Sequence, residues 1–345
     1  MNGPLPAEAR VLVVRVGAMG DVLHSLAGVA ALRAMRPGWQ IDWVVDPRWA
    51  ALLVGEDGRG PVVSGVHQAE TRAWSRAPLS LGTARSVLGL RRFLQEGRYD
   101  AVVDMQGTLR SAVIGSFARA RRYAGFADPR ERAAGWFYKQ KFGRRGPHVV
   151  EQGAALLGLA LDLALEPMRA CPLPREGAAE RWAEALVAGS GPVALLAPTA
   201  GWGAKQWPAE KFGELGNRLA KGFRVLVNAA REDEPTALAV VRTGGGSARI
   251  VVCGVGELVA LTRRVALVVG GDSGPVHLAA ALGVPVVALY GPTDPARNGP
   301  WGAGPVRVLR DPASVTSYKR VAEVEAGLAR VGVDEVLGAV LAMRV

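Results

Sequence analysis

The sequence predicts an α/β fold of two domains, each a parallel sheet with helices on both faces. The chain has 345 residues, the length of two ordinary domains. Apolar strand-like runs alternate with helical patterns in both halves, the order that builds parallel sheets. Residues 166–180 lose this periodicity and collect prolines, so they are the best linker candidate. We therefore expect domains at 1–168 and 181–325, followed by a terminal helix within 326–345.

The first half opens with a strand, a glycine turn and a helix, which close into a βαβ unit with the next strand. The second half repeats this style. The predicted strands span residues 11–16, 41–45, 101–104, 193–197, 224–228, 250–252, 265–270 and 284–290. The predicted helices span residues 21–35, 83–95, 149–163, 209–221, 257–263, 278–282 and 333–343. Ligands of such sheets bind beyond the carboxyl ends of the strands.

Composition limits the class of protein. No apolar run is long enough to span a membrane, and the N-terminus has no apolar signal region, so we expect a cytoplasmic protein. Hydrophobic residues make up 49% of the chain, enough for two cores. The two cysteines, Cys171 and Cys253, match no metal-ligand spacing, and we expect no disulfide between them.

The net charge of +11 is concentrated between Arg110 and His148. Basic residues there are Arg119, Arg121, Arg122, Arg130, Arg132, Lys139, Lys141, Arg144 and Arg145. Aromatic residues lie among them, namely Tyr123, Phe126, Trp136, Phe137, Tyr138 and Phe142. This pattern is typical of a surface for a polyanion, either a nucleic acid, an anionic lipid or a phosphorylated sugar. The alternative is an arginine-rich face that contacts only solvent.

Residues 265–302 carry the most informative pattern. An apolar strand ends at Gly270, a glycine-rich turn containing Asp272 follows, and an alanine-rich helix comes next. A turn of this kind presents backbone N–H groups and the positive end of a helix, which together bind anions such as phosphate. Asp272 is expected to cap the helix or to accept hydrogen bonds from hydroxyl groups. His277 lies one turn into the helix, either as a core residue or as part of the anion site.

Two other strand ends carry candidate residues. After the first strand, residues 17–21 lack the third glycine of a dinucleotide motif and the lysine of a P-loop, which disfavours a dehydrogenase. Asp21 is there either a helix cap or a general base. The glycine-rich loop 198–208 places Lys205 between tryptophans at a strand end, where a cation suits a diphosphate. No metal-binding motif and no nucleophile elbow is visible.

Six stretches, in order and over nearly the whole chain, make the sequence resemble the lipopolysaccharide heptosyltransferases of glycosyltransferase family 9. The matching stretches are residues 15–24, 42–45, 99–107, 205–208, 272–278 and 289–295. The context of Trp43 and the pair Phe137–Tyr138 resemble the type I members, which add the first heptose to Kdo. Ala200 and Gly201 stand where type I members have hydroxyl residues, so this loop is closer to the glycine-rich type II version.

The resemblance implies the GT-B fold, with two Rossmann-like domains whose parallel sheets face each other across a cleft. The N-terminal domain would bind the acceptor and the C-terminal domain the sugar nucleotide, and the terminal helix would pack back on the N-terminal domain. The donor implied is ADP-L-glycero-D-manno-heptose. The reaction implied is inverting, with no metal and no cofactor, and Asp21 matches the proposed base.

The resemblance also assigns the donor side. Lys205 and the backbone N–H groups of Ser273 and Gly274 would neutralise the departing diphosphate. His277 would add a donor, and Asp272 would order the turn. Glu234 is the candidate for holding the ribose, with Glu232 as the fallback. Thr199 and Gly201 are the remaining donor-binding candidates, Thr199 as the substitute for the missing hydroxyl residues.

On the acceptor side, the implied partner is a Kdo-bearing, phosphorylated lipid A. Carboxylates and phosphates are best bound by arginine, and the candidates are Arg110, Arg130 and Arg132. The basic segment then implies a peripheral enzyme at the anionic, cytoplasmic face of the inner membrane, with no nucleic-acid partner. Two alternatives stay open, a related GT-B enzyme that uses another nucleotide sugar and a nucleic-acid-binding protein that uses the face 119–145.

Overall fold

The computed structural model describes residues 4–343, which fall into two compact units that divide between Pro174 and Arg175. The division lies inside the proline-rich segment 166–180. Residues 1–3 and 344–345, which the predicted domain bounds include, lie outside the described residues.

The first unit is a six-stranded parallel sheet with five α-helices. Its strands are β1 (Arg10–Val14), β2 (Gln40–Val45), β3 (Gly65–Gln68), β4 (Ala101–Asp104), β5 (Arg122–Phe126) and β6 (Gln140–Phe142). Its helices are α1 (Met19–Met35), α2 (Thr71–Arg76), α3 (Leu81–Glu96), α4 (Leu109–Ser116) and α5 (Val149–Leu161). Short 3-10 helices occupy Pro47–Leu52 and Arg132–Trp136.

The second unit is also a six-stranded parallel sheet. Its strands are β7 (Val193–Ala197), β8 (Arg224–Ala229), β9 (Ala248–Val252), β10 (Leu267–Gly271), β11 (Val286–Leu289) and β12 (Val306–Leu309). Its helices are α6 (Gly177–Val187), α7 (Ala209–Leu219), α8 (Pro235–Thr243), α9 (Val255–Thr262), α10 (Gly274–Ala281), α11 (Pro295–Asn298), α12 (Ala326–Arg330) and α13 (Val333–Ala342). A 3-10 turn spans Gly203–Lys205.

The two sheets have the same strand order. The first runs β3-β2-β1-β4-β5-β6, and the second, read from its other edge, runs β9-β8-β7-β10-β11-β12. In each sheet the order reverses between the first and fourth strands, so β1 lies beside β4 and β7 beside β10. Ligands of doubly wound sheets bind beyond the carboxyl ends of the strands at this reversal. The predicted α/β class with two parallel sheets is confirmed.

Each unit has its own apolar core, built from central strands that are buried along nearly their whole length. In the first unit Trp43 is fully buried in β2, and its Nε1 donates a hydrogen bond to the carbonyl of Arg15 over 3.0 Å. Gly28 lets α1 approach α5, because a Cβ at this position would lie 3.1 Å from the Cα of Ala154. In the second unit Trp207 and Phe212 pack edge to face, with ring centroids 4.9 Å apart.

Short elements escaped the sequence analysis. The strands β3, β5, β6 and β12 each have three to five residues and carry weak apolar patterns. Helix α10 begins at Gly274 rather than at the predicted Leu278, because Pro275 fits the first turn of a helix, where its missing N–H has no partner to lose. Cys171 and Cys253 are both free thiols, as expected.

The terminal helix packs within the second unit. The buried side chains of α13, which are Val333, Val336 and Val340, belong to the core of this unit, where α13 packs against α7 and β11. The packing of residues 326–345 on the N-terminal domain stays a prediction. Helix α7 is strongly amphipathic, and its apolar side gives the stripe of α13 a partner within the same unit. Within residues 4–343, none of the helices combines the length and the apolarity that crossing a membrane requires.

Candidate active site

In the second unit, the strand order brings two predicted segments together. Strands β7 and β10 pair in parallel, with Ala197 opposite Gly270. The loop 198–208 and the turn that begins at Asp272 therefore leave the same edge of the sheet side by side. Gly271 makes the contact between them possible, since a Cβ there would lie 2.5 Å from the carbonyl oxygen of Lys205.

Lys205 ends the 3-10 turn of the loop and points into a nearly closed setting. Its Nζ forms an ion pair with Asp272 Oδ2 and lies 4.0 Å from the ring centroid of Trp202. Only 12% of the Lys205 side chain is exposed. A cation over an aromatic face gains electrostatic energy when both are shielded from water. The ammonium group has three N–H donors, so it can still bind an anion while it contacts Asp272.

Asp272 is the centre of the cluster. Besides Lys205, it contacts His277 Nε2 at 2.9 Å, and it accepts hydrogen bonds from the hydroxyls of Thr293 at 2.9 Å and Tyr290 at 3.5 Å. Burial by itself raises the pKa of Asp272, but the hydrogen bonds and charges of His277 and Lys205 outweigh it and hold the pKa well below its ordinary value. The carboxylate is thus ionised at neutral pH.

Asp272 does not cap the helix that follows it, which was one of the two expectations for this residue. Ser273 is the N-cap of α10, Gly274 is the first helical residue, and no side chain caps the helix. Asp272 instead accepts hydroxyl hydrogen bonds, the other option that its position offered. Ser273 is 9% exposed, and its buried Oγ has no hydrogen-bond partner among residues 4–343. A free hydroxyl beside free helical N–H groups is a set of donors for an anion.

His277 is a buried member of this cluster. The ring is 5% exposed, and its Nε2 contacts the Oδ1 of Asp272. His277 is therefore buried like a core residue and also contacts a site residue, so both interpretations of the sequence are partly right. Through the contact of Nε2 with Asp272, the ring orients the carboxylate.

The remaining donor-side candidates lie on neighbouring loops. Thr199 is half-buried and Gly201 is exposed, both in the loop after β7. Glu234 is half-buried at the N-cap of α8, in the segment that follows β8, next to β7 in the sheet. Glu232, the fallback, is exposed. The strand order puts all of these loops at one edge of the second sheet.

In the first unit, Asp21 is the third residue of α1. Its Oδ2 accepts a hydrogen bond from the backbone N–H of Ala18 at 3.0 Å, and its Oδ1 forms an ion pair with Arg15 at 2.7 Å. The side chain is 42% exposed, so solvent and other molecules can reach it. Arg15 is held in turn by a hydrogen bond to the carbonyl of Met105, at the end of β4.

The arginine candidates Arg110, Arg130 and Arg132 are all exposed in this unit. Glu131 brings their segments together, because its N–H donates to the carbonyl of Gly107 at 2.9 Å and its Oε2 accepts from the N–H of Leu109 at 2.8 Å. Three exposed guanidinium groups thus lie on adjoining backbone segments near the start of α4.

Several residues of the basic segment 119–145 are buried, so less of it lies on the surface than the sequence indicated. Arg122 is buried and forms an ion pair with Asp162 at 2.6 Å. The aromatic residues Tyr123, Phe126 and Tyr138 are 4–6% exposed and belong to the interior. Of the aromatic side chains in this segment, Trp136 is the strongly exposed one, at 84%. Because β5 is buried along its whole length and Tyr138 lies in the interior, the segment does not form a continuous polyanion surface.

Comparisons with known proteins agree with this geometry. The family model "Glycosyltransferase family 9 (heptosyltransferase)" matches residues 87–323. The chain belongs to glycosyltransferase family 9. It is a glycosyltransferase with the GT-B fold.

One relative is the lipopolysaccharide heptosyltransferase 1 of Pseudomonas aeruginosa, 31% identical over 88% of this chain and 84% of that protein. Among solved structures, E. coli heptosyltransferase WaaC with ADP is 26% identical, with a TM-score of 0.78 over 96% of this chain and 99% of that one. The same enzyme with ADP-2-deoxy-2-fluoro heptose has a TM-score of 0.76 over the same shares of the two chains, also at 26% identity.

Several side chains of this family 9 protein that contact the candidate residues were missed as site residues. They are Arg15, Trp202, Tyr290 and Thr293. All four lie in stretches that the sequence analysis had singled out. Thr293 and Tyr290 follow β11, which pairs with β10, so the parallel order predicts that they end near Asp272. A parallel pairing of these two neighbouring strands is therefore enough to predict the contacts of Tyr290 and Thr293 with Asp272.

Proposed function

We propose that the chain transfers heptose from ADP-L-glycero-D-manno-heptose to the Kdo region of the lipopolysaccharide inner core, with inversion and without a metal ion. The observation that carries the proposal is the buried cluster of Lys205, Asp272 and His277 beside the unpartnered Ser273 hydroxyl. A relative named for lipopolysaccharide heptosyl transfer, and a similar enzyme solved with ADP and with an ADP-heptose analogue, support the choice of donor and pathway.

The donor half of the chemistry is the departure of ADP. As the bond between the anomeric carbon and the diphosphate oxygen breaks, its electron pair leaves with ADP. Lys205, the Ser273 hydroxyl and the N–H of Gly274 would stabilise the negative charge that develops there. Asp272 would not repel the diphosphate strongly, because the ammonium group of Lys205 already balances its charge. The two remaining N–H donors of Lys205 would be turned to the ligand.

The acceptor half needs a base. An acceptor hydroxyl would attack the anomeric carbon from the face opposite ADP, which inverts the configuration, and its proton would pass to the carboxylate of Asp21. A carboxylate is a weak base, but it suffices when the proton moves late, after the positive charge of the sugar has begun to form a bond with the oxygen. The contact with Arg15 would hold the carboxylate in place.

The acceptor itself would be an anionic Kdo-bearing lipid, bound through Arg110, Arg130 and Arg132 at the cytoplasmic face of the inner membrane. Guanidinium groups bind carboxylate and phosphate by paired hydrogen bonds, which suits both Kdo and lipid A phosphates. Their exposure in the first unit supports this role.

Titration calorimetry against ADP, UDP, GDP and NAD tests the donor first. Binding of ADP alone supports the proposal, whereas a preference for UDP or GDP identifies an enzyme that uses another nucleotide sugar. A transfer assay with ADP-heptose and a Kdo-bearing lipid A follows, with and without EDTA. Activity that EDTA abolishes and added magnesium restores contradicts the metal-free reaction.

The assay then tests the base. Asp21→Asn is expected to lower kcat by at least ~100-fold, the usual scale for acid–base residues, while ADP affinity stays the same. Asp57→Asn is the matched control, since Asp57 is an exposed aspartate in the same unit whose carboxylate accepts a backbone N–H at 2.9 Å. A kcat of Asp21→Asn near that of the control removes Asp21 as the base.

A further inference from the structure

The segment 71–95 of the first unit has an unusual composition for an exposed part of the chain. It contains α2, the loop between α2 and α3, and α3 without its last residue, Glu96, which forms an ion pair with Arg92. Five arginines lie within residues 71–95, namely Arg72, Arg76, Arg85, Arg91 and Arg92, and no acidic residue does. Among residues 4–343, Arg76, Arg85 and Arg91 form no ion pair. The segment thus presents positive charge that the protein itself leaves largely unbalanced.

Helix α3 has two apolar sides. Leu90 and Leu94 are buried and fix the helix to the core of the first unit. Leu81 and Leu88, seven residues apart, lie on the opposite side, with Arg85 between them on the same stripe. Leu81 and Leu88 are 78% and 59% exposed, so the outer stripe is both apolar and basic and has no partner within the described chain.

The loop before α3 extends this stripe. Leu79 is 99% exposed, and it lies two residues from Leu81. The loop is held by its own hydrogen bonds: Ser80 Oγ accepts from the N–H of Thr83 at 3.1 Å, and the Thr83 hydroxyl donates to the carbonyl of Ala77 at 2.8 Å. Trp74 Nε1 donates to Ser86 Oγ at 3.1 Å and so joins α2 to α3. Leu79 and Leu81 are therefore presented to solvent by an ordered loop.

We propose that the outer side of segment 71–95 is a docking surface for an anionic lipid membrane, with Leu79, Leu81 and Leu88 inserted among the lipids and the arginines against their phosphates. Leucines in an interfacial helix enter the boundary between headgroups and acyl chains, while arginines bind the headgroups. The arginines favour an anionic membrane over an apolar protein surface as the partner. An apolar protein surface would leave them without counter-charges.

This inference rests on the proposed function, which supplies a lipid-linked acceptor for the docked enzyme. One contact connects the surface with the acceptor side. Arg110, an acceptor-side candidate, donates a hydrogen bond at 3.4 Å to the carbonyl of Thr71, the first residue of the segment. Docking through this segment would bring the arginines near α4 to the level of the lipid headgroups.

Co-sedimentation with vesicles tests the surface directly. The full chain is expected to bind vesicles of phosphatidylcholine mixed with phosphatidylglycerol, and to bind vesicles of phosphatidylcholine alone much more weakly. Leu79→Ser combined with Leu81→Ser should weaken binding at least ~10-fold. Arg76→Gln combined with Arg85→Gln should reduce the preference for anionic vesicles, by about fivefold for each arginine.

The matched control is Val315→Ser combined with Leu341→Ser, because these side chains in the second unit are 69% and 68% exposed. The control should bind vesicles like the unaltered chain. Equal binding by the Leu79 and Leu81 variant and the control overturns the proposal, as does equal binding to both vesicle types. A dimer of the unaltered chain that dissociates in the leucine variant also overturns it and assigns the surface to a second copy.

The activity assay separates this inference from the proposed function. With a deacylated, water-soluble acceptor, the leucine variant should keep its kcat/KM, whereas with acceptor in anionic vesicles its rate should fall with its binding. Absence of transfer to any acceptor by the unaltered chain rejects the proposed function, and vesicle binding still tests the surface. Transfer without vesicle binding rejects the surface alone.

Discussion

Asp104 ends β4 in the first unit, and Asp272 directly follows β10, the strand at the corresponding position of the second sheet. Both carboxylates are buried, and each precedes a helix. Within residues 4–343, Asp104 accepts hydrogen bonds only from neutral donors, which are the N–H groups of Gln106 and Gly107 and the hydroxyls of Ser111 and Tyr138, at 2.7–3.1 Å. Asp272 also contacts the ammonium group of Lys205 and the ring of His277.

The surroundings give these carboxylates opposite electrostatics. Burial raises the pKa of Asp104, and its neutral hydrogen bonds only partly offset this. Burial also raises the pKa of Asp272, but the hydrogen bonds and charges of His277 and Lys205 outweigh this and lower it. A buried aspartate with neutral donors fixes the turn after its strand. One paired with a lysine also keeps a positive charge in place at the strand end, where a ligand of an α/β sheet binds.

The largest expected difference is in stability. Asp272→Ala leaves the buried ammonium group of Lys205 without its counter-charge, so we expect a loss of about 3–5 kcal/mol in the free energy of unfolding. Asp104→Ala leaves neutral donors unsatisfied, with an expected loss of about 1–3 kcal/mol. Urea unfolding monitored by circular dichroism measures both. A larger loss for Asp104→Ala would contradict the assignment of the ionic cluster to Asp272.

The next effect is on nucleotide binding. Lys205→Met should weaken ADP binding by about 10- to 100-fold, since a hydrogen bond to a charged group contributes about 1.5–3 kcal/mol. Calorimetry measures the dissociation constant, and Lys221→Met, at an exposed lysine of the same unit, is the control. If both variants bind ADP like the unaltered chain, the cluster around Asp272 is structural, like that around Asp104.

The smallest expected effect is on how the stability of the Asp272 and Asp104 variants changes with pH. A carboxylate with a lowered pKa contributes stability above its unfolded pKa of about 4, and this is lost as pH falls through the folded pKa. A carboxylate with a raised pKa behaves in the opposite way, and its contribution is lost as pH rises. Relative to the unaltered chain, Asp272→Asn should therefore lose stability, and Asp104→Asn gain it, as the pH rises from acid to neutral. Unfolding midpoints across this range measure the two slopes, and slopes of the same sign contradict the assigned pKa directions.

The local sequence could not distinguish these two aspartates. Each follows an apolar strand and precedes a glycine within three residues. Strands 101–104 and 193–197 were predicted with their correct bounds, because a short apolar run with a polar or proline boundary defines each of them. The partners of Asp272 depend on which strands are neighbours and in what register, and this is set by contacts between residues far apart in the chain. The sequence therefore placed Lys205 and Asp272 at strand ends without giving the ion pair between them.

Contacts between residues far apart in the chain also decide the other features that the sequence did not predict. The terminal helix α13 has an apolar stripe that any complementary surface can cover, so the stripe predicts burial but not the unit against which the helix packs. The segment 119–145 shows strong charge in sequence, yet Arg122 and three aromatic side chains are buried by the strands β5 and β6 and their neighbours. The roles of Asp21, Glu234 and the three acceptor-side arginines remain predictions, since they depend on substrates.

The loop that carries Lys205 is anchored by a distant part of the chain. The N–H of Ala204 donates to the carbonyl of Val321 at 3.2 Å, and the N–H of Glu325 donates to the carbonyl of Ala204 at 3.3 Å. Gly203 fits so closely that a Cβ would lie 1.7 Å from the carbonyl oxygen of Ala322, whereas nothing lies within 4 Å of a Cβ at Gly201. The loop is therefore held tightly at residues 203–204 and has open space around Gly201. Any adjustment to a ligand falls to residues 199–201, and the stiffness of the lysine's support depends on residues more than a hundred positions further along the chain.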